Sequence, residues 1–218
     1  MKKVYIVGGN GFARECYLNI LEYLTALQSA QPEPETLFGG FVGHDGYRPD
    51  FKSLDGFFVG DLAEFEFGEN DLAVIGSGHP DIRKKIYGNL KKRNVELSNL
   101  IPPSVIVNEF VELGEANVLA PPCGPSVHVK IGHGNVFNGY VVIGHDARIG
   151  NFNFFGPKSQ ILGNVEVGDG NSVGAGSVLL PGAKIGNNNK IAPLSAVYKG
   201  CGNNCYMMGS PALKVGDA

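Results

Sequence analysis

Much that would announce a function is missing from this sequence. No run of like charge disturbs the balance of 18 basic against 21 acidic residues, which excludes a broad electrostatic footprint for nucleic acid or an anionic membrane. No apolar stretch approaches the roughly 20 residues that a membrane-crossing helix needs. The N-terminal lysines and the short apolar run after them superficially imitate a secretory leader. That run stops at the Gly8-Gly9 turn, below the roughly 7–15 residues of a leader's apolar core, so it reads as a first β-strand. The four cysteines, Cys16, Cys123, Cys201 and Cys205, form no C-x-x-C pair, and no histidine lies near the last two. They read as reduced thiols of a cytoplasmic protein, with no zinc or disulfide framework and no metal. No nucleophile motif suggests a covalent acyl-enzyme.

Glycine is abundant instead: 32 residues, about twice the ordinary share, mostly in the second half. Residues 1–100 alternate strand and helix patterns. Strands are expected at 3–7, 38–42, 57–59 and 71–76. Helices are expected at 12–27, with Leu18, Ile20, Leu21 and Leu24 on its apolar side, and at about 80–93. A polar loop covers 29–36. Strands alternating with helices predict a small parallel α/β sheet, a Rossmann-like domain. The string Ile101-Pro102-Pro103 ends that pattern.

Residues 101–218 keep a different rhythm. Apolar residues recur every six positions, from Ile101, Val107, Leu113 and Leu119 through Ile131, Phe137, Ile143 and Ile149 to Ile191 and Val197, interrupted at Pro125. Glycine often follows directly, and a small or slim residue often stands four places after the apolar one. Neither a helix (period 3.6) nor a sandwich strand (period 2) gives this beat. A hexapeptide parallel β-helix does, with one hexad per side of a triangular coil and about five coils in all. Gly, Asn and Asp are expected to supply the corner conformations.

Particular strings narrow the family. Gly8-Gly9-Asn10-Gly11-Phe12-Ala13-Arg14, Phe41-Val42-Gly43-His44-Asp45, Val59-Gly60-Asp61 and Ile75-Gly76-Ser77-Gly78 with Arg83 stand in order in the first half. Ile131-Gly132, Asn138, Gly144-His145-Asp146, Ile149-Gly150 and Gly209-Ser210-Pro211-Ala212 follow in the second. In these strings the chain resembles, over nearly its whole length, the NeuD/PglD-like family of hexapeptide-repeat sugar acyltransferases. That family includes sialic acid O-acetyltransferases and nucleotide-aminosugar N-acetyltransferases. The resemblance implies a left-handed coil, a homotrimer, and acetyl-CoA held between neighbouring coils. It also implies acetyl transfer to a nucleotide-linked 4-amino-6-deoxysugar in surface glycan biosynthesis. O-acetylation of a sialic acid-type sugar and a non-catalytic sugar-binding scaffold are the competing readings.

Acetyl transfer to an amine needs a base, an oxyanion donor and a groove that aligns the reactants. His145, two places after inward-pointing Ile143, is expected to face outward near a corner and serve as the base. Asp146 would fix its tautomer if the corner turns both side chains to one side. His133 occupies the same slot in an earlier hexad and reads as structural; His44 is a possible nucleotide contact, and His79 and His128 read as surface residues. The family often has a second histidine nine positions after the base. Phe154 stands there instead, and its expected effect is a more apolar pocket. The resemblance points to the Gly163 N–H as oxyanion donor and to Gly174, Ala175 and Gly182 as walls for the pantetheine arm. Asn138 matches an acceptor-side position, with a structural asparagine ladder as the equal alternative. Gly8, Gly9, Asn10 and Gly11 open a helix whose free N–H groups suit a diphosphate. Arg14 stands in the third glycine slot of G-x-G-x-x-G, and a plain strand-to-helix turn is the alternative. By analogy Asp45 reads the nucleotide's base or ribose, and Gly78 belongs to the same substrate set.

Overall fold

The computed structural model describes residues 2–30, 36–45 and 54–218. The chain divides into two compact units, Met1–Pro103 and Ser104–Ala218.

In the first unit β1 (Lys2–Val7), α1 (Gly11–Ala30), β2 (Thr36–Gly43), β3 (Phe58–Asp61), β4 (Leu72–Ile75), α2 (Pro80–Lys92) and β5 (Glu96–Leu97) follow in order. The strands form a parallel sheet ordered β3-β2-β1-β4-β5. The chain therefore builds outward from β1 on one side and then crosses to the other. That reversal leaves a crevice at the carboxyl ends of β1 and β4, where sheets of this kind take ligands. Three expectations shift. The helix α1 runs on to Ala30 and β2 begins at Thr36, so the predicted 29–36 loop keeps only residues outside the described ones. Residues 55–57 form a 3-10 turn ahead of β3. The buried side of α1 is Ala13, Cys16, Ile20 and Leu24, while Leu18 and Leu21 are exposed. Positions 13, 16, 20 and 24 follow the 3–4 spacing of one helical face, which the more hydrophobic Leu18 and Leu21 do not share.

The second unit is a parallel β-helix with three faces. Strands of two residues stack on counterparts 18 positions away, as in Val136↔Phe154, Val142↔Gln160 and Arg148↔Glu166. The second residue of each strand points inward, so Phe137, Ile143, Ile149, Phe155, Ile161, Val167 and Leu179 form one buried ladder. Within it Phe137 and Phe155 stack with ring centroids 5.0 Å apart and planes 5° off parallel. The predicted beat from Ile101 and Val107 precedes the actual stack: both are half-buried, and the first stacked strand is Glu112–Leu113. Pro125 is no interruption. It is buried in the ladder, in Gly124–Pro125, an edge strand of its sheet where the missing N–H leaves no partner unsatisfied.

The corners also differ from expectation. The residue three places after an inward one takes a left-handed conformation at every corner from Ala116 on except at Pro122, including Ala116, Tyr140, Phe152, Lys158 and Leu194. Such backbone costs a non-glycine residue about 1–2 kcal/mol. It is held because it aims that N–H at the previous coil: Tyr140 donates to Pro122 O (2.8 Å), Phe152 to His133 O (2.8 Å) and Leu194 to Ala175 O (2.9 Å). Asparagines at 117, 135, 153, 171 and 189 form a buried ladder at one corner. Asn135 Oδ1 accepts both the Asn153 backbone N–H (2.9 Å) and its Nδ2–H (3.0 Å), and the pattern repeats upward.

Candidate active site

The hexad register decides which residues meet. The slot two places after the inward residue falls in columns 18 residues apart (16 at the last step, Asn187 to Asn203), one column to each corner. Two of these columns contain a histidine.

The column Glu115, His133, Asn151, Asp169, Asn187, Asn203 is closed. His133 Nδ1 accepts the Glu115 N–H at 3.1 Å, and Asn151 Oδ1 accepts the His133 N–H at 2.8 Å. Asp169, Asn187 and Asn203 repeat the cap at 2.7 Å each. His133 thus serves the backbone.

The column Val127, His145, Gly163, Pro181, Lys199 is open. Gly163 has no side chain to cap the coil below, and Pro181 has no acceptor with which to cap Gly163. Among the described residues the Gly163 N–H meets no acceptor. The vacated space holds the His145 ring: a Cβ built on Gly163 would stand 2.6 Å from His145 Nε2. Asp146 has φ +58°, and this left-handed turn brings its carboxylate beside its neighbour. His145 Nδ1 lies 2.8 Å from Asp146 Oδ2. The carboxylate therefore favours the tautomer with the proton on Nδ1 and the lone pair on Nε2, facing Gly163. Both side chains are exposed. Gly144, below them, is needed for close stacking, since a Cβ there would meet Gly163 N at 2.6 Å.

Gly182 continues the same corner, donating to Gly163 O at 3.0 Å, and a Cβ there would meet nothing within 4 Å. Gly174 and Ala175 lie at the corner across the face carrying Val142, Gln160 and Val178, so these glycines and His145 border one face. Asn138 sits at that second corner. It is absent from the asparagine ladder, and its Oδ1 accepts the Gly139 N–H at 2.7 Å. Phe154 lies away from His145 within the chain. Nine residues beyond His145 the chain has passed another corner, so Phe154 stands half-buried on the face opposite it, stacked between Val136 and Ser172.

In the first unit Gly8, Gly9, Asn10, Gly11, Asp45 and Gly78 gather at the carboxyl edge of the sheet. A Cβ on Gly8 would collide with Gly76 O at 2.6 Å, so the loops after β1 and β4 touch through glycine. Asn10 Oδ1 accepts the Ala13 N–H at 3.3 Å, capping α1. Asp45 is exposed with φ +49°. Beneath lies fully buried Arg83, whose Nη1 donates to Ile75 O (2.6 Å) and Ser77 O (2.7 Å) and so shapes the loop reaching Gly78. Burial lowers its pKa to about 10, which leaves it charged at neutral pH. Arg83 stood in the sequence only as a family match; arginine is so seldom buried that pattern reading passes over it.

Burial pushes the Cys16 and Cys123 thiols up to about 12 and Cys201 to about 11, which leaves them protonated and poorly nucleophilic at neutral pH. Among the described residues no group of three or more His, Cys, Asp or Glu side chains stands ready for a metal, and no helix is long and apolar enough to cross a membrane. A concavity of about 930 Å³ forms a trough on the face of Glu112, Lys130, Arg148, Glu166 and Lys184. It holds ion pairs and no candidate base, so its size does not make it the reaction site.

Comparison with known proteins bears on the fold. The model for the bacterial transferase hexapeptide (six repeats) matches residues 146–181. No curated protein matches the sequence. Among solved structures, PerB from Caulobacter crescentus, in complex with CoA and GDP-perosamine, is 24% identical, with TM-score 0.81 over 98% of this chain and 97% of that one. The acetyltransferase domain of PglB from Neisseria gonorrhoeae FA1090 is 19% identical, with TM-score 0.83 over 98% and 99%. WeeI from Acinetobacter baumannii AYE is 21% identical, with TM-score 0.82 over 99% and 100%. The chain thus shares the fold of these three proteins over nearly its whole length, and the hexapeptide-repeat match runs through two turns of its β-helix, residues 146–181.

Proposed function

We propose that the protein is an acetyl-CoA-dependent N-acetyltransferase acting on a nucleotide-linked 4-amino-6-deoxysugar, in surface glycan biosynthesis. One observation carries the reading. His145 is oriented by Asp146 at 2.8 Å and presents Nε2 toward Gly163, whose N–H lacks an acceptor.

The chemistry follows from those groups. The neutral amine adds to the thioester carbonyl carbon while His145 Nε2 takes its proton. The carbonyl oxygen becomes an oxyanion, stabilised by the Gly163 N–H, and Asp146 stabilises the imidazolium. Re-forming the carbonyl breaks the carbon–sulfur bond, and the departing thiolate recovers the proton from His145. Gly163, Gly174, Ala175 and Gly182 leave main chain bare for the pantetheine arm. The N–H groups at the start of α1, with Gly8, Gly9, Asn10 and Gly11, suit the diphosphate; Asp45 contacts the base or ribose. The likeness to PerB, whose structure holds CoA and GDP-perosamine, supports this class of donor and acceptor. Exposed Tyr140, Val142, Leu194 and Tyr198 on the second unit support association into a homotrimer.

The test is CoA release, followed with a thiol reagent, on acetyl-CoA and a panel of UDP-, GDP- and dTDP-linked 4-amino-6-deoxysugars. Turnover of one member that falls at least about a hundredfold in His145→Ala supports the reading. Activity surviving that change removes His145 as base. Transfer only to a free sialic acid moves the acceptor to a hydroxyl.

A further inference from the structure

The corner column that carries Asp146 continues below it. At intervals of 18 residues it reads Phe110, His128, Asp146, Asn164 and Gly182. Side-chain bulk falls away along this line, from two aromatic rings to none. Beyond Asp146 toward the C-terminus, Gly163 and Gly182 leave the backbone bare, the space assigned above to a thin acyl carrier. Before Asp146 stand two exposed rings, with centroids 5.4 Å apart and planes inclined at 53°. Phe110 keeps 52% of its surface in water.

The pair is held in place. Asn108 Oδ1 accepts the Phe110 N–H at 3.0 Å, and its Nδ2 donates to Pro125 O (3.4 Å) and Ser126 O (3.2 Å). The turn bearing Phe110 is thereby clipped to the coil bearing His128. His128 has φ +57°, the same corner conformation as Asp146 one coil on. Coils stack at strand spacing, about 4.8 Å, so the rings lie roughly one and two steps from Asp146.

We infer that Phe110 and His128 form the platform for the acceptor sugar, a subsite that sets acceptor affinity for the acetyl transfer proposed above, on which this inference rests. The C–H face of a pyranose, with the methyl of a 6-deoxysugar, buries its apolar surface on the Phe110 ring. The His128 imidazole offers a ring nitrogen to a hydroxyl or the ring oxygen. An acceptor stacked there lies on the N-terminal side of Asp146 and extends past that corner, so that its amine meets His145 Nε2 on the edge that faces Gly163.

The test uses the full chain and whichever aminosugar of the panel the wild type turns over fastest. Phe110→Ala and His128→Ala each raise the acceptor KM about tenfold, leave the acetyl-CoA KM unchanged and alter kcat by less than about threefold. Phe110→Leu, apolar but unable to stack, gives an intermediate rise. By NMR the His128 Cε1–H resonance moves with the nucleotide-linked aminosugar and stays put with the free nucleoside diphosphate. Wild-type turnover with acceptor KM unchanged in both alanine variants overturns the platform alone. A wild type inactive on every aminosugar overturns the acetyltransferase reading, and the platform with it.

Discussion

His133 and His145 occupy the same slot of the hexad, 12 residues apart, at different corners of one β-helix. Each follows an inward isoleucine by two places. Their surroundings part because of residues elsewhere in the sequence. The His133 column has a capping side chain in every later coil, so each backbone N–H at that corner is consumed. The His145 column meets glycine and then proline, and the cap lapses. The next residue differs as well: Gly134 follows His133, whereas Asp146 follows His145 and bonds its Nδ1 at 2.8 Å. A repeat fixes where a side chain stands. Its chemistry is decided by what stands one coil away and by whether the local backbone N–H groups are already taken.

The comparison breaks most severely at Gly163. Its φ is not left-handed, so Gly163→Ala is tolerated by the backbone, but the new Cβ meets His145 Nε2 at 2.6 Å. The imidazole must swing away, and the thioester carbonyl loses its approach to the N–H. Turnover should fall about 10²–10³-fold, the scale for losing one oxyanion donor, with the melting temperature nearly unchanged. A variant with more than a third of wild-type turnover would remove Gly163 from the chemistry.

The next effect is on stability and lies at the corner that carries the buried ladder. In Asn153→Ala the Asn171 N–H and Nδ2–H lose their acceptor, and Asn135 Oδ1 and Gly168 O lose donors. With these groups buried, the loss is about 3 kcal/mol by denaturant unfolding, at the upper range for unsatisfied groups. A smaller change follows for Asp146→Asn: about tenfold in kcat, with both KM values kept. The amide holds the imbalance of charge less well, and at this exposure solvent already screens much of the carboxylate's field.

How far these roles are legible follows from the same geometry. The β-helix announced itself because every hexad repeats one physical problem, an inward apolar residue between two corners. Its first stacked strand did not: Ile101 and Val107 keep the beat, yet stacking begins at Glu112–Leu113. The His145–Asp146 pairing depended on a left-handed Asp146, which composition at the corners does not reveal when Tyr140, Phe152 and Leu194 adopt it too. The place of Phe154 was not legible either, because a count of nine along the chain does not say which face it reaches. In the first unit the contacts are set by crossovers, so Arg83 beneath the crevice loop and Cys16 on the helix face had no periodic signal to give them away.

The mildest prediction is the sharpest control on the comparison. In His133→Ala the Glu115 N–H loses the ring nitrogen it donates to at 3.1 Å. That group is exposed and water can replace the acceptor, so the loss should stay below about 1 kcal/mol by thermal unfolding. Acetyl transfer should remain within about twofold of wild type, because the backbone N–H groups along the closed column are already taken by side-chain caps. His133→Asn makes the argument bidirectional. Asparagine caps the same column at Asn151, Asn187 and Asn203, so it should restore the lost stability in full. Should His133→Ala instead cost tenfold in turnover while His145→Ala spares it, the open and closed columns have been assigned the wrong way round.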